Sequence, residues 1–432
     1  MHLHNIYQVY LTYPDISTDT RKIEPFSIFL ALKGDNFNGN TFADQALEAG
    51  AAYAIIDEPA YKRDERYILV DDVLLTLQDL AKHHREQLKI PIIGITGTNG
   101  KTTTKELILS VLEQKFKAFA TLGNLNNHIG VPLSILSIRP QTEIAVIEMG
   151  ANHLQEISFL CDIARPDYGL ITNVGKAHLE GFGDFEGVKK AKAELYHWLA
   201  NHMGTLFLQN DNQDLVQMAS AFKFKEIVSY GYSSTNKVYG KLIANNPFLS
   251  LEWNFKEWNK TVKTQLTGAY NFENILAAIT IGCYFGLTEK EINQGISNYQ
   301  PKNNRSQVLK TANNTVICDY YNANASSMKA ALENIESIKT DLKKVVILGD
   351  MFELGTESSK EHKKLIEKAL LLSDTECIFI GEEFFKHQTN KAIFYKTTEE
   401  AVKSLTEKPI QDRLILLKGS RGMAFEKVLT AL

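Results

Sequence analysis

The stretch that decides the fold is GITGTNGKTTTKELILSVL, running from Gly94 to Leu112. Its second half, Gly100, Lys101 and Thr102, ends as phosphate-binding loops end. Its first half departs from the commonest form, G-x-x-x-x-G-K-[ST], because Ile95 stands where the opening glycine belongs. Ile92 to Ile95 reads as a buried strand, and Thr102 to Phe116 as a helix with Leu107, Ile108, Val111 and Leu112 on one face. A strand, a glycine-rich turn and a helix form the context that a phosphate loop requires. The glycines let backbone N–H groups turn inward, the helix start adds a partial positive charge, and Lys101 adds a full one. Thr102 is placed to offer its hydroxyl to a magnesium ion, with Thr103 beside it. The bland alternative is a tight turn carrying an exposed lysine. Glycine, lysine and two threonines at one strand–helix junction favour phosphate binding, in a subclass set by the missing glycine.

Outward from the loop, three regions separate by pattern. Residues 1–86 mix short apolar runs, Ser27 to Leu32 and Ala51 to Ile56, with a helical stretch from Ala43 to Ala49, and predict a small α/β unit. Residues 87–300 alternate strands and helices. Ile144 to Ile147 and Gly169 to Thr172 are further buried strands, so the sheet is parallel and covered on both faces. Between 236 and 266 the period becomes two, with Leu249, Leu251, Trp253 and Phe255 alternating with polar residues, which predicts a small antiparallel extension. A helix from Asn271 to Phe285 closes this region. Residues 301–432 restart the alternation with strands at Val345 to Leu348, Cys377 to Ile380 and Leu414 to Leu417.

Bulk properties narrow the function. At 432 residues, 44% hydrophobic and 23% charged, the chain is an ordinary globular protein of several domains. A net charge of -4 gives no support to nucleic-acid binding, which needs a basic face. The four cysteines, Cys161, Cys283, Cys318 and Cys377, form no C-x-x-C pair, which argues against a zinc site and fits a reducing compartment. No signal peptide and no membrane span are expected, so the default is a cytoplasmic protein.

Ligands of open α/β sheets sit beyond the carboxyl ends of the strands. Glu148 follows the strand at Ile144 to Ile147, and His178 lies in the loop after another strand. Beside a phosphate loop, the pair suits a metal held mainly through phosphate oxygens and water; singly, Glu148 reads better as a surface carboxylate and His178 as a loop histidine, and it is their joint placement at strand ends that favours function. Lys192 occupies the i+4 place in a stripe with Val188, Leu195 and Leu199, on a helix read from Glu186 to Leu199. A snorkelling lysine explains that placement with no chemistry.

Taken together, GTNGKTTTKE, TLGNLNNHIGVPLSIL (Thr121 to Leu136), VIEMGANHLQEI and TNVGKAHLEGFGDFEGVKKAKAEL resemble the Mur ligases of peptidoglycan synthesis. In that family the earlier glycine of the loop stands where Gly97 does. The resemblance spans almost the whole chain and implies three α/β domains. A central phosphate-loop domain with a parallel sheet, binding ATP, is flanked by a small N-terminal domain for the UDP-linked substrate and a Rossmann-like C-terminal domain. NLNNHIGVPL, Tyr321 to Asn324 and Gly349 to Gly355 point to the branch that adds a dipeptide.

The implied reaction is ATP-dependent ligation of D-alanyl-D-alanine to a UDP-MurNAc-tripeptide through an acyl phosphate, by a monomer. By this likeness Lys101, Glu148, His178 and Lys192 are catalytic. Thr102, Glu148 and His178 hold Mg2+, and Lys192 falls on the position that is carbamoylated, able to hold a second ion. Gly97 to Thr103, Asn271, Asn274, Arg305 and Asp319 bind ATP. Thr18, Asp19, Arg21 and Lys33 hold the uridine nucleotide. Asn126, Asn127, Asn322, Asn324, Lys418, Ser420 and Arg421 serve the substrates. Residues 301–432 are expected to rotate as a lid. Tyr270, Ala325 and Asn40-Thr41 depart from the family pattern, and Ala325 in place of proline is expected to loosen its turn. Rival readings are another Mur-type or folylpolyglutamate-type ligase, or a nucleotide-dependent switch that ligates nothing.

Overall fold

A computed structural model describes residues 2–177 and 179–432. The phosphate-loop strand Ile92–Thr96 lies inside a nine-stranded sheet, between Tyr168–Ile171 and Ile144–Glu148. Both pairings are parallel, with Thr96 opposite Ile171 and Ile95 opposite Glu148, so three strand ends finish at one level. From Ile92–Thr96 the chain crosses to the edge strand Ala118–Ala120, returns to Ile144–Glu148, then passes to the other side. Strand order therefore reverses at the loop strand, and such a reversal opens a crevice beyond the carboxyl ends. All five residues of that strand are buried, as the unbroken apolar run requires for a sheet covered on both faces.

The sheet continues through Thr205–Gln209 and Glu226–Gly231 into an antiparallel arm, Val238–Asn245, Leu249–Phe255 and Trp258–Lys263. The alternating residues of Leu249–Phe255 point inward in strict order, and Trp253 is fully buried. The period-two segment is thus the expected antiparallel extension. Val238–Asn245 pairs in parallel on one side and antiparallel on the other, so the arm belongs to the main sheet. The helix Asn271–Tyr284 is buried along nearly its whole length, and its first turn overlies the loop.

The first sheet is four short parallel strands, Ile16–Ser17, Ile28–Leu30, Tyr53–Ile56 and Tyr67–Leu69. Two helices here go beyond the sequence reading: Leu3–Thr12 and Val73–Gln87. The second is capped by Asp72, whose carboxylate accepts from Leu75 N–H, and it packs on the helices Gly130–Leu136 and Glu156–Ala164. Arg85 fixes it there, donating to the carbonyls of Ala164 and Arg165 and pairing with Asp167. One apolar core consequently runs from Ile6 and Ile28 through Leu77 to Ile147 and Leu195. The loop helix also differs from its reading, since it spans Lys101–Leu112. Past Leu112 the chain tightens, Gln114 N–H reaching Val111 and Lys115 N–H reaching Leu112, before the next strand.

The third sheet has six strands in the order Gln307–Lys310, Thr315–Cys318, Arg413–Lys418, Lys343–Gly349, Thr375–Ile380 and Ile393–Tyr395. All pairs are parallel except the first, an antiparallel edge that periodicity did not reveal. No helix among the described residues is long and apolar enough to cross a membrane.

Candidate active site

Gly97 sits at φ 144°, and a Cβ there would lie 2.0 Å from Thr172 Oγ1. Only glycine fits. The crowding comes from the neighbouring strand end, which laces the loop in place. Thr98 N–H donates to Asn173 O at 2.9 Å, Asn99 N–H to Asn173 Oδ1 at 3.0 Å, and the Thr172 hydroxyl to Asn99 O at 2.6 Å. Gly100 takes a left-handed conformation, φ 79°, and starts the helix. Asn274 covers it closely, and Asn274 Nδ2 donates to Asn271 Oδ1 at 2.8 Å. Asn271 in turn donates to Thr267 O at 2.8 Å.

Lys101 folds back over its own loop, donating to Gly97 O at 2.7 Å and Thr98 O at 3.1 Å. Burial pushes its ammonium below the usual lysine range; the Glu148 carboxylate opposes that shift and the Arg305 charge adds to it. Glu148 is buried. Its Oε1 accepts from Asn126 Nδ2 at 2.8 Å and from the Thr102 hydroxyl at 3.3 Å, while its Oε2 has no hydrogen-bond partner. Asn126, read as a substrate contact, is thus engaged with Glu148.

Lys105 lies one turn beyond Lys101, buried, 3.7 Å from Glu148 Oε2 and 3.2 Å from Gly123 O. The sequence reading passed over it. The stripe argument applied to Lys192 would have found it, since Lys105, Ile108 and Leu112 stand at i, i+3 and i+7.

Lys192 is 2% exposed on the helix Phe185–Asn201, 5.4 Å above the Phe182 ring. Its Nζ does not snorkel to solvent. Burial, reinforced by the Lys101 charge, pushes its ammonium down to about 7. It is not part of the wall of the large cavity described next. His178 lies outside the described residues.

A cavity of about 790 Å³ opens over the loop. One wall is Thr98 to Thr103, Asn126, Asn127, Glu148, Asn271 and Asn274; the other is Arg305, Asp319, Asn322, Asn324 and Lys418 from the third domain. Lys418 Nζ pairs with Asp319 Oδ2 at 2.7 Å, and Asp319 Oδ1 accepts from Ser306 N–H at 3.3 Å. Tyr270 closes one side, its hydroxyl 2.8 Å from Ser306 Oγ.

The two domains touch directly. Asn99 Nδ2 donates to Ser326 Oγ at 2.8 Å, and Asn324 Nδ2 donates to Asn99 Oδ1 at 2.8 Å. Asn324 also caps the helix Ala325–Ser337, its Oδ1 accepting from Ser327 N–H, while Ser327 Oγ answers to Asn324 N–H. This capping box holds the turn that alanine in place of proline was expected to loosen. The Asn324 amide is committed to cap and bridge, whereas the neighbouring Asn322 Oδ1 accepts from Ala323 N–H.

The remaining expected residues lie off the cavity wall. Thr18, Asp19, Arg21 and Lys33 follow the first-sheet strands. Arg21 forks onto Asp19, and Lys33 pairs with Asp57 at 2.9 Å and Glu58 at 3.3 Å. Asn40 is buried and bonded to Asp57. Ser420 is buried and accepts from Phe352 N–H, and exposed Arg421 packs over the Tyr321 ring. Among the described residues no three His, Cys, Asp or Glu side chains cluster as a metal cage.

Comparison with known proteins gives three matched family models. They are the Mur ligase family, catalytic domain, over residues 12–85; the Mur ligase middle domain over 95–282; and the Mur ligase, glutamate ligase domain over 304–421. The UDP-N-acetylmuramoyl-tripeptide–D-alanyl-D-alanine ligase of Bacillus subtilis is 36% identical over 425 residues, 96% of this chain and 92% of that protein. Its Escherichia coli counterpart is 32% identical over 429 residues, 98% and 94%. A crystal structure of MurF from Acinetobacter baumannii superposes with a TM-score of 0.84 at 30% identity, covering 96% of this chain and 92% of that one. MurF ligase from Thermotoga maritima, in complex with ADP, gives 0.84 at 27% identity, covering 98% and 97%.

Proposed function

The chain belongs to the Mur ligase family, and on that premise we propose that it joins D-alanyl-D-alanine to the terminal carboxylate of a UDP-MurNAc-tripeptide, converting ATP to ADP and phosphate. The observation that carries this reading is the cavity in which Lys101, Arg305 and Lys418 converge at the reversal of strand order. In the proposed division, residues 1–86 hold the UDP-linked substrate, 87–300 hold ATP, and 301–432 complete the site.

A carboxylate is a poor acyl donor because oxide would have to leave. Its oxygen therefore attacks the γ-phosphorus, ADP departs, and an acyl phosphate forms. The dipeptide amine then attacks the acyl carbon, and phosphate leaves the tetrahedral oxyanion. Carboxylate and γ-phosphate must first approach each other, and two unit charges 4 Å apart repel by roughly 4 kcal/mol at an effective dielectric near 20. Lys101, Arg305 and Lys418 offset that repulsion, and the N–H groups at the start of the loop helix, Lys101 to Thr103, orient the phosphates. Asn271 and Asn274 hold the nucleotide end of the cavity. Closure against the third domain keeps water from the acyl phosphate.

The oxygen donors of Glu148 and Thr102 suit a hard cation, and Glu148 Oε2, which accepts no hydrogen bond and has only the more distant Lys105 ammonium near it, is the atom such an ion would satisfy. Thr102, Glu148 and His178 would hold magnesium, which when bound supplies positive charge to the phosphate oxygens. Lys192, with its ammonium lowered to about 7, presents a free amine at neutral pH. That neutral amine can add to carbon dioxide with loss of one proton to water, giving a carbamate anion where a lysine stood. A buried, unreactive lysine would keep its ordinary basicity only with a carboxylate partner.

ADP release should require both the UDP-tripeptide and D-alanyl-D-alanine. Turnover with single amino acids or glutamate in place of the dipeptide would move the chain to another branch of the family. Lys101→Ala should abolish release in either case.

A further inference from the structure

Among the described residues no carboxylate pairs with Arg305. Asp319, on the same cavity wall, is engaged by Lys418 at 2.7 Å, and the buried Arg305 Nε has no hydrogen-bond partner. What holds the guanidinium is Tyr321, whose ring centroid lies 3.7 Å from Arg305 Cζ. Both residues line the cavity. The backbone around Arg305 is also unusual, since Asn303, Asn304 and Ser306 all have positive φ, at 60°, 57° and 52°. Three left-handed residues that are not glycine carry strain, and such strain is retained where a side chain must be aimed.

We propose that Tyr321 is a positioning residue that carries Arg305 by the face of its guanidinium. An ion pair would occupy the edge N–H donors; a ring beneath the face leaves them free. Those edge donors match the fork geometry of phosphate oxygens. Tyr321 therefore restrains a cation without neutralising it, which a site for the crowded anions of acyl phosphorylation needs. The same ring explains Arg421, whose Cζ lies 5.4 Å from its centroid while the side chain stays off the cavity wall. Arg421 acts on the site through Tyr321, by limiting where the ring can move. This inference rests on the ATP-dependent reading above.

A four-member cycle tests it: the unaltered chain, Tyr321→Leu, Arg305→Ala and the double variant, with Tyr321→Phe alongside. Each is assayed for ADP release at varied ATP and for binding of inorganic tripolyphosphate. Tyr321→Leu should lower kcat/KM for ATP about tenfold, the scale of a partly desolvated cation–π contact. Tyr321→Phe, which keeps the ring face, should stay within about threefold. In the Arg305→Ala background the leucine change should cost nothing further, because the two residues act as one unit. Additive losses, or phenylalanine as damaging as leucine, would overturn the proposal. Should the leucine variant not fold, Tyr321→Gln takes its place in the cycle. Failure of the unaltered chain to release ADP with the dipeptide would instead strike the proposed reaction. The stacking claim is then decided by tripolyphosphate affinity, which must fall in the leucine variant and hold in the phenylalanine one.

Discussion

The loop frame can be tested by moving its glycine. Gly97→Ala places a methyl group 2.0 Å from Thr172 Oγ1 at a backbone φ of 144°. The conformation alone costs an L-residue about 1–3 kcal/mol. Relieving the clash also displaces the hydroxyl that donates to Asn99 O at 2.6 Å, worth about 1 kcal/mol more. The expected loss is about 2–4 kcal/mol, split between stability and nucleotide affinity. The opposite change, Ile95→Gly, restores the commoner motif on paper. Ile95 is fully buried between two parallel strands, so the change removes a core side chain at a cost of about 2–5 kcal/mol and adds about 1 kcal/mol for glycine in a strand. It should give nothing back in binding. Urea denaturation measures the first quantity, and calorimetric titration with ADP measures the second. If Ile95→Gly tightens ADP while Gly97→Ala leaves both quantities untouched, the loop's working glycine is not Gly97 and the frame is wrong.

Lys192 supplies a pH signature. Its ammonium is held down to about 7, so between pH 7 and the ordinary lysine value the unfolded chain binds more protons, and stability rises with pH by up to about 1.4 kcal/mol per unit. In carbon dioxide-free buffer Lys192→Met should flatten that slope in chemical denaturation; an unchanged slope refutes the burial argument. With labelled bicarbonate, a carbamate carbon resonance should grow as pH rises through 7 and vanish in Lys192→Ala, whose lost activity short carboxylates should partly restore. Lys105→Met strips the countercharge from buried Glu148 and should destabilise by about 3 kcal/mol; a neutral result would mean the pair is not coupled. Asn99→Ala removes the two bridges from the phosphate loop to the third domain and leaves those of Tyr270 and Asn245 in place, so assays should report a raised KM for the dipeptide and an unchanged value would refute a role for the loop bridges.

What the sequence made legible was local. Ile92 to Ile95, Val345 to Leu348 and Leu414 to Leu417 are short apolar runs, and a buried parallel strand has no other pattern to show. The phosphate loop was readable because its glycines, lysine and threonines fall within seven consecutive residues, Gly97 to Thr103. Lys192 was readable because a charge inside an apolar stripe breaks a period. The residues that escaped reading do their work across long separations. Ser326 meets Asn99 over 227 positions, and nothing near either one signals the other. Tyr321 is an ordinary aromatic until the chain brings Arg305 over its face. Asn324 is an expected substrate contact that also serves as a helix cap and a bridge, and only the hydrogen bonds to Ser327 and Asn99 reveal those two further roles. The helix Val73–Gln87 was missed because its inward face carries Gln78, His84 and Arg85, polar groups that are buried only once neighbouring carbonyls and hydroxyls receive them.

Asn99 is at once a link of the phosphate loop and one of the points that hold the C-terminal body. Loop shape and domain spacing are therefore coupled at that residue. A compound wedged into the Asn99–Ser326 seam would press on both at once, and escape from it by a change at Asn99 would also disturb the bonds that lace the loop to Asn173.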